Sequence, residues 1–190
     1  LGFSVWRELI AHIKTSNWVL SGENERFPLL YHYRLVPMTG KHADDDPDER
    51  ARFVDYWNGN QQVGQYMSDR TNAADELLLF LEHIPHTLHD WLSKNPYKLE
   101  EMLAQQRELI SFLRSNGIIH LDAHSENVLT DGKGVFLTDF GLLIDRRFSL
   151  REDEIGFFEQ HQLFDYGEVL SEAGYLIYTA FAQLPEAKLT

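Results

Sequence analysis

Apolar positions change their spacing several times along the chain, and each change marks an element. From Phe3 to Leu20, Val5, Leu9, Ile10, Ile13 and Val19 recur at helical intervals and predict an amphipathic helix. Phe27 to Val36 (FPLLYHYRLV) is rich in aromatic residues and reads as a strand. Gly40 to Arg52 carries the acidic run Asp44-Asp45-Asp46-Pro47-Asp48-Glu49, a solvated loop that leads into a helix start with carboxylates at the positive end of the dipole. Residues Ala51 to Asp75 then look helical, with Phe53, Val54 and Trp57 on one face and a break at Asn58-Gly59-Asn60. The unbroken apolar run of Glu76 to Pro85 (ELLLFLEHIP) has the pattern of a fully buried strand. Pro85 stops it, and Thr87 is placed to cap a helix that follows. Leu99 to Asn116 predicts a long amphipathic helix on Leu99, Met102, Leu103, Leu109, Ile110 and Leu113, closed by Asn116-Gly117. Arg151 to Gln162 predicts another helix, and Asp165-Tyr166-Gly167 opens a last one bearing Val169, Leu170, Tyr175, Leu176 and Phe181.

Between these helices lies Ile118 to Gly141, IIHLDAHSENVLTDGKGVFLTDFG. Val128-Leu129 and Val135-Phe136-Leu137 flank the turn Asp131-Gly132-Lys133-Gly134, a hairpin signal. Asp122 and Asn127 precede the hairpin and Asp139 follows it, so a folded hairpin brings all three towards one spot. Two carboxylates and a carboxamide suit an oxygen-ligated Mg²⁺, with one carboxylate left to handle a proton.

The spacing of His120, Asp122 and Asn127, followed by Asp139-Phe140-Gly141, resembles the catalytic loop and metal-binding triplet of protein-kinase-like phosphotransferases. The resemblance implies that Asp122 accepts the proton of the attacking hydroxyl, and that Asn127 and Asp139 hold the Mg²⁺ bridging the ATP phosphates. It implies an α+β fold of two lobes, a partial N-lobe over residues 1–85 with an insertion at 40–75, and a helical C-lobe over 86–190. LEHIPHTLHDWL resembles the kinase hinge and the helix after it, with Leu81 as gatekeeper. There the Glu82 carbonyl and the Ile84 amide would bond adenine. Glu8 is the candidate partner of an ATP-binding lysine, a solvated helix-face glutamate being the plain alternative. Asp165 resembles the kinase aspartate that bonds the catalytic-loop backbone, and an ordinary helix cap explains it equally.

Composition narrows the partners. Seventeen basic against thirty acidic residues give a net charge of −13, which argues against nucleic acid or an anionic membrane. With no cysteine there is no disulfide framework and no thiolate metal site. Without a membrane-length apolar run or a leader pattern, a cytoplasmic location follows by default.

Three departures from the family pattern shape the expectation. Neither a glycine-rich phosphate loop nor a strand lysine precedes Glu8, which implies either an upstream segment outside this stretch or a degenerate kinase fold. Little turnover is expected of the 190 residues alone unless Lys14, Lys41 or Arg146 replaces that lysine. Leu121 stands where an arginine usually precedes the catalytic aspartate, so switching by a phosphorylated activation loop is not expected. His124 stands where protein kinases place a phosphate-neutralising lysine, as in aminoglycoside- and choline-kinase-like enzymes. The acceptor is thus a hydroxyl of a protein or of a small molecule. Two rival classes stay open: a metal hydrolase using His120, Asp122 and His124 as ligands, and a pseudokinase that binds without turnover.

Overall fold

The computed structural model describes residues 5–39 and 46–182. It is mixed α+β with small sheets, and it divides into two compact units: Leu1–Tyr31 with Leu81–Thr190, and His32–Phe80. The expected boundary after residue 85 puts the first helix with the strands. By contact that helix instead groups with residues 81–190, because Ala11 and Trp18 are buried in the same core as Leu109 and Phe140.

The unit His32–Phe80 spans most of strands β1 (Leu30–Pro37) and β2 (Asp75–Leu81), which pair as a two-stranded sheet. Helices α2 (Pro47–Tyr56) and α3 (Gln61–Thr71) come between them. Asp46 caps α2 by accepting from the Asp48 N–H at 2.9 Å, and Asn60 caps α3 through the Gln62 N–H at 2.9 Å. Asn58 and Gly59 form the break with φ of 54° and 69°, conformations that Asn and Gly tolerate. Lys41, Asp44 and Asp45 lie outside the described residues. Strand β2 is not fully buried, contrary to its sequence pattern: Leu78 and Phe80 are 39% and 47% exposed. A ladder of two strands has no central strand, so neither can be covered as a parallel-sheet strand is.

In the other unit, helix α1 (Val5–Ser21) forms as predicted but buries a different face. Leu9, Ala11, His12, Thr15, Ser16 and Trp18 point inward, while Val5 and Ile10 stay about half exposed at 52% and 50%. Polar and aromatic partners decide the rotation. Ser16 Oγ accepts the Leu30 N–H at 2.7 Å, and the edge of Trp18 meets Phe112 at 4.9 Å. After the short strand β3 (His86–Thr87), Thr87 caps α4 (Leu88–Lys94), accepting from the Asp90 N–H at 3.2 Å. A 3₁₀ turn at Pro96–Lys98 leads into α5 (Leu99–Ser115), which supplies Met102, Leu109, Ile110 and Leu113 to the core.

Strand β4 (Ile118–Ile119) pairs antiparallel with β7 (Ile144–Asp145). Between them stands the predicted hairpin, β5 (Val128–Thr130) and β6 (Val135–Leu137), in register Val128 to Leu137 and Thr130 to Val135, with β3 on its other edge. Asp131 Oδ1 accepts the N–H groups of Lys133 and Gly134 at 2.9 and 2.8 Å and closes the turn. Helices α6 (Glu152–Gln160) and α7 (Phe164–Ala182) complete the unit. The apolar stripe expected on α7 is only half buried: Val169 and Leu176 enter the core, but Leu170 and Tyr175 are 69% and 54% exposed. The side chain of Phe181 lies outside the described residues. The helix is turned so that a row of acids, rather than that whole stripe, faces the segment His120–Ser125.

Candidate active site

The loop from His120 to Asn127 is shaped mainly by α7. Asp165, buried at the start of that helix, accepts the N–H groups of His120 and Leu121 at 2.9 and 2.8 Å through its two oxygens. It is thus more than a helix cap: it fixes a turn in which Leu121 has φ of 68°, a conformation a leucine rarely adopts. One turn further, Glu168 Oε2 accepts the Ala123 N–H at 2.5 Å. Glu172 Oε2 accepts the Ser125 hydroxyl at 2.5 Å and its N–H at 3.4 Å. From the other side, Gln106 Nε2 donates to the Ala123 carbonyl at 2.7 Å. Glu168, Glu172 and Gln106 are absent from the sequence reading. Their one signal there is acid spacing: Asp165, Glu168 and Glu172 recur at three and four residues, the stride of one helix face.

Asp122 and Asn127 meet within this frame. Asn127 Nδ2 donates to the Asp122 backbone carbonyl at 3.0 Å and to its Oδ2 at 2.9 Å. Among the described residues, the hydrogen bonds of that carboxamide run through nitrogen, which leaves its oxygen for another partner. His124 Nε2 lies 3.4 Å from Asp122 Oδ1. Asp139, with φ of 58°, receives the Gly141 N–H on Oδ1 at 3.3 Å. Its charge reaches the neighbours: burial, and then Asp139, raise the pKa of Glu8 above the ordinary carboxylate range. Asp122 is raised too, by burial first and Asp139 as a lesser cause, against the lowering effects of His124 and Asn127. Glu8 is half-buried, and the charge of Asp139 reaches it.

Three rings stack beside the carboxylates. Phe140 meets His12 and His120 edge-on, at 4.7 and 5.4 Å between centroids. Burial lowers both imidazoles to about 4, so both are neutral at pH 7. His120 Nε2–H donates to the Thr138 carbonyl at 3.0 Å, and Nδ1 accepts the Asp122 N–H at 3.3 Å. With both nitrogens engaged and the ring fully buried, His120 is no metal ligand. Among the described residues, no three His, Cys, Asp or Glu side chains are grouped to hold a metal ion.

Glu82 and Ile84 lie in the irregular link after β2, and among the described residues no hydrogen bond joins them to the carboxylates. The Glu82 N–H donates to the Leu29 carbonyl at 2.7 Å, and the Leu29 N–H returns to Glu82 Oε2 at 3.2 Å. The Glu82 carbonyl and Ile84 amide take part in no backbone hydrogen bond among the described residues.

Helix α1, which carries Glu8, is pinned to the segment after Asp139. Lys14 pairs with the buried Asp145 on β7, and Arg7 forms a bidentate pair with buried Glu154 at 2.8 and 3.3 Å. Arg7 also lies over the Phe148 ring, and Arg146 over Phe158.

A weak sequence match hints at kinase-like relatedness and leaves the family unassigned. Over 111 residues, 58% of the chain, it is 28% identical to Kinase suppressor of Ras A of Caenorhabditis elegans. The chain spans 14% of that relative's length. No protein-family model matches the chain. Among the described residues no helix is long and apolar enough to cross a membrane.

Burial, opposed in part by the bond from Ala123 and helped by the charges of Asp122 and Asp165, raises Glu168 from 4.5 to about 6. Between those values the folded chain binds the extra proton. This contribution to stability is therefore full below the unfolded value and is lost as pH rises through 6. Glu168→Gln, neutral throughout, is expected to remove about 1 kcal/mol of the fall in unfolding free energy across that window, after allowance for solvent screening. Urea titrations of both proteins at either end of the window measure it; parallel pH dependences would show that Glu168 titrates normally.

Proposed function

We propose that the protein is an ATP- and Mg²⁺-dependent phosphotransferase of the protein-kinase-like superfamily, with the two-lobe fold, transferring the γ-phosphate to a hydroxyl of a protein or small molecule. The observation that supports this best is the Asn127 carboxamide locked to Asp122 with its oxygen left over, beside Asp139 and in reach of its charge. These donors fit Mg²⁺, which takes one or two protein oxygens and completes its shell with water and phosphates. The repulsion that Asp139 exerts on Glu8 and on Asp122 is of the kind a cation relieves.

In this reading Asn127 and Asp139 hold the metal, whose chemistry is to neutralise the charge of the β- and γ-phosphates. Asp122 orients the acceptor hydroxyl and takes its proton on a carboxylate oxygen. Nearby, His124 offers Nε2 to the same region. The Glu82 carbonyl and Ile84 amide bond the adenine edge, and Glu8 orients a cation at the phosphates. The cytoplasm, where Mg²⁺-ATP is plentiful, is the proposed location.

Thermal shift with ATP, with and without Mg²⁺, tests the assignment. Asp139→Asn removes the charge while keeping a residue that tolerates the left-handed backbone. It is expected to abolish the Mg²⁺-dependent part of the shift seen for the natural chain. An equal shift in both would remove Asp139 from the metal site.

A second reading is a pseudokinase, a nucleotide- or protein-binding module without turnover. It is favoured by the engagement of Lys14 with Asp145 and of Arg146 with the Phe158 ring, since these are cations that would have to stand in for the missing strand lysine. An ATP-induced shift with no ATP consumed would establish it.

A further inference from the structure

The phosphotransferase reading assigns work to Asp122 and His124 but leaves unexplained two acids that touch neither substrate nor metal. Glu168 and Glu172 reach the loop from α7 and bond its backbone at alternate residues: Ala123 N–H at 2.5 Å, then Ser125 N–H at 3.4 Å with the Ser125 hydroxyl at 2.5 Å. Asp122 and His124 are the residues immediately before those two anchored amides. The Ala123 peptide is gripped from both sides, because Gln106 bonds its carbonyl at 2.7 Å. The turn just before, at Leu121, holds a left-handed φ of 68° that relaxes unless its neighbours are fixed. Ionised Glu168 is also disfavoured where it stands, by burial and by two neighbouring carboxylates, which its short bond to Ala123 offsets in part.

Resting on that reading, we propose that Glu168 and Glu172 are positioning residues of the transfer reaction: they set where Asp122 and His124 reach by anchoring the Ala123 and Ser125 peptide groups. Their effect falls on the reacting geometry rather than on nucleotide affinity, since the adenine contacts proposed at Glu82 and Ile84 share no hydrogen bond with them. Displacement of a catalytic group by about 1 Å costs on the order of 10²-fold in rate.

The test uses the chain together with any upstream segment, because little turnover is expected of these 190 residues alone, with Mg²⁺-ATP as probe and two readouts: steady-state ATP turnover, and backbone amide exchange of fragments covering residues 118–127. Glu168→Ala and Glu172→Ala are expected to lower kcat by roughly 10- to 100-fold with the KM for ATP within about twofold, while the Ala123 and Ser125 amides exchange faster. Glu168→Gln keeps an acceptor oxygen for Ala123 and should restore most of kcat. It also supplies the measurement if an alanine variant fails to fold, because a Gln variant with a much lower kcat and unchanged exchange counts against the proposal. Unchanged kcat in a folded alanine variant overturns the role, as does a loss confined to KM. Inactivity of the chain together with any upstream segment would defeat the phosphotransferase reading and this role with it. That result differs from failure of the positioning alone, in which the natural chain is active and the variants match it.

Discussion

In the chain together with any upstream segment, Asp122→Asn is expected to lower ATP-dependent transfer by ~10²–10⁴-fold, the range lost with a general base, while ATP affinity stays within about twofold. The substitution is nearly isosteric. The loop's hold on the residue comes through backbone groups of its neighbours and through the Asn127 bond to its carbonyl oxygen, all of which survive. What disappears is the acceptor for the hydroxyl proton. Because burial raises the Asp122 carboxyl above its ordinary range, the base is ionised, and the rate present, only above that raised value. The natural chain should therefore lose activity as pH falls through it, and the variant should lack that acid limb. Turnover of ATP across pH measures both effects. Equal rates in the two proteins would end the assignment of Asp122 as base.

Asp165→Ala is expected to cost about 3 kcal/mol of stability, the largest loss expected at a single residue outside the apolar core. Removing a buried acceptor leaves the His120 and Leu121 N–H groups without a partner, and each such orphan costs roughly 1–3 kcal/mol. The strained φ at Leu121 then loses its support as well. Burial opposes ionised Asp165, and part of the gain on removing it offsets the loss. Asp165→Asn, which can still accept through one oxygen, should lose less. Denaturant titration gives the values, and a cost below about 1 kcal/mol for the alanine variant would show that water replaces the carboxylate.

Much of this was written in local pattern. The hairpin followed from Asp131-Gly132 between apolar pairs, because turn chemistry acts over four residues and needs no distant partner. The caps at Thr87 and Asn116-Gly117 were legible for the same reason. The buried face of α1 was not. Hydrophobicity ranks Val5 and Ile10 above His12 and Ser16, yet Phe140 and the Leu30 amide lie on the other side. Strand β2 misled in a similar way, since an apolar run carries no information on how many strands will flank it. At the site, Asp122, Asn127 and Asp139 could be found by spacing. Glu168 and Glu172 could not, because a glutamate in a helix reads as solvated until its backbone partner is known.

The bonds that shape the loop join residues 44 to 47 apart in sequence, and those that pin α1 to the later segment join residues 131 and 147 apart. The hairpin closes over a few residues. Loop-closure entropy is met early for the one and late for the others, and contacts of high sequence separation form slowly. The hairpin can thus exist while the chain before it is still unshaped, and Asp122 gains its setting only when α7 docks. On this ordering, the loop that carries Asp122 is expected to take its shape late: a partly folded form that lacks the docked helix has none of the bonds by which Asp165, Glu168 and Glu172 hold it.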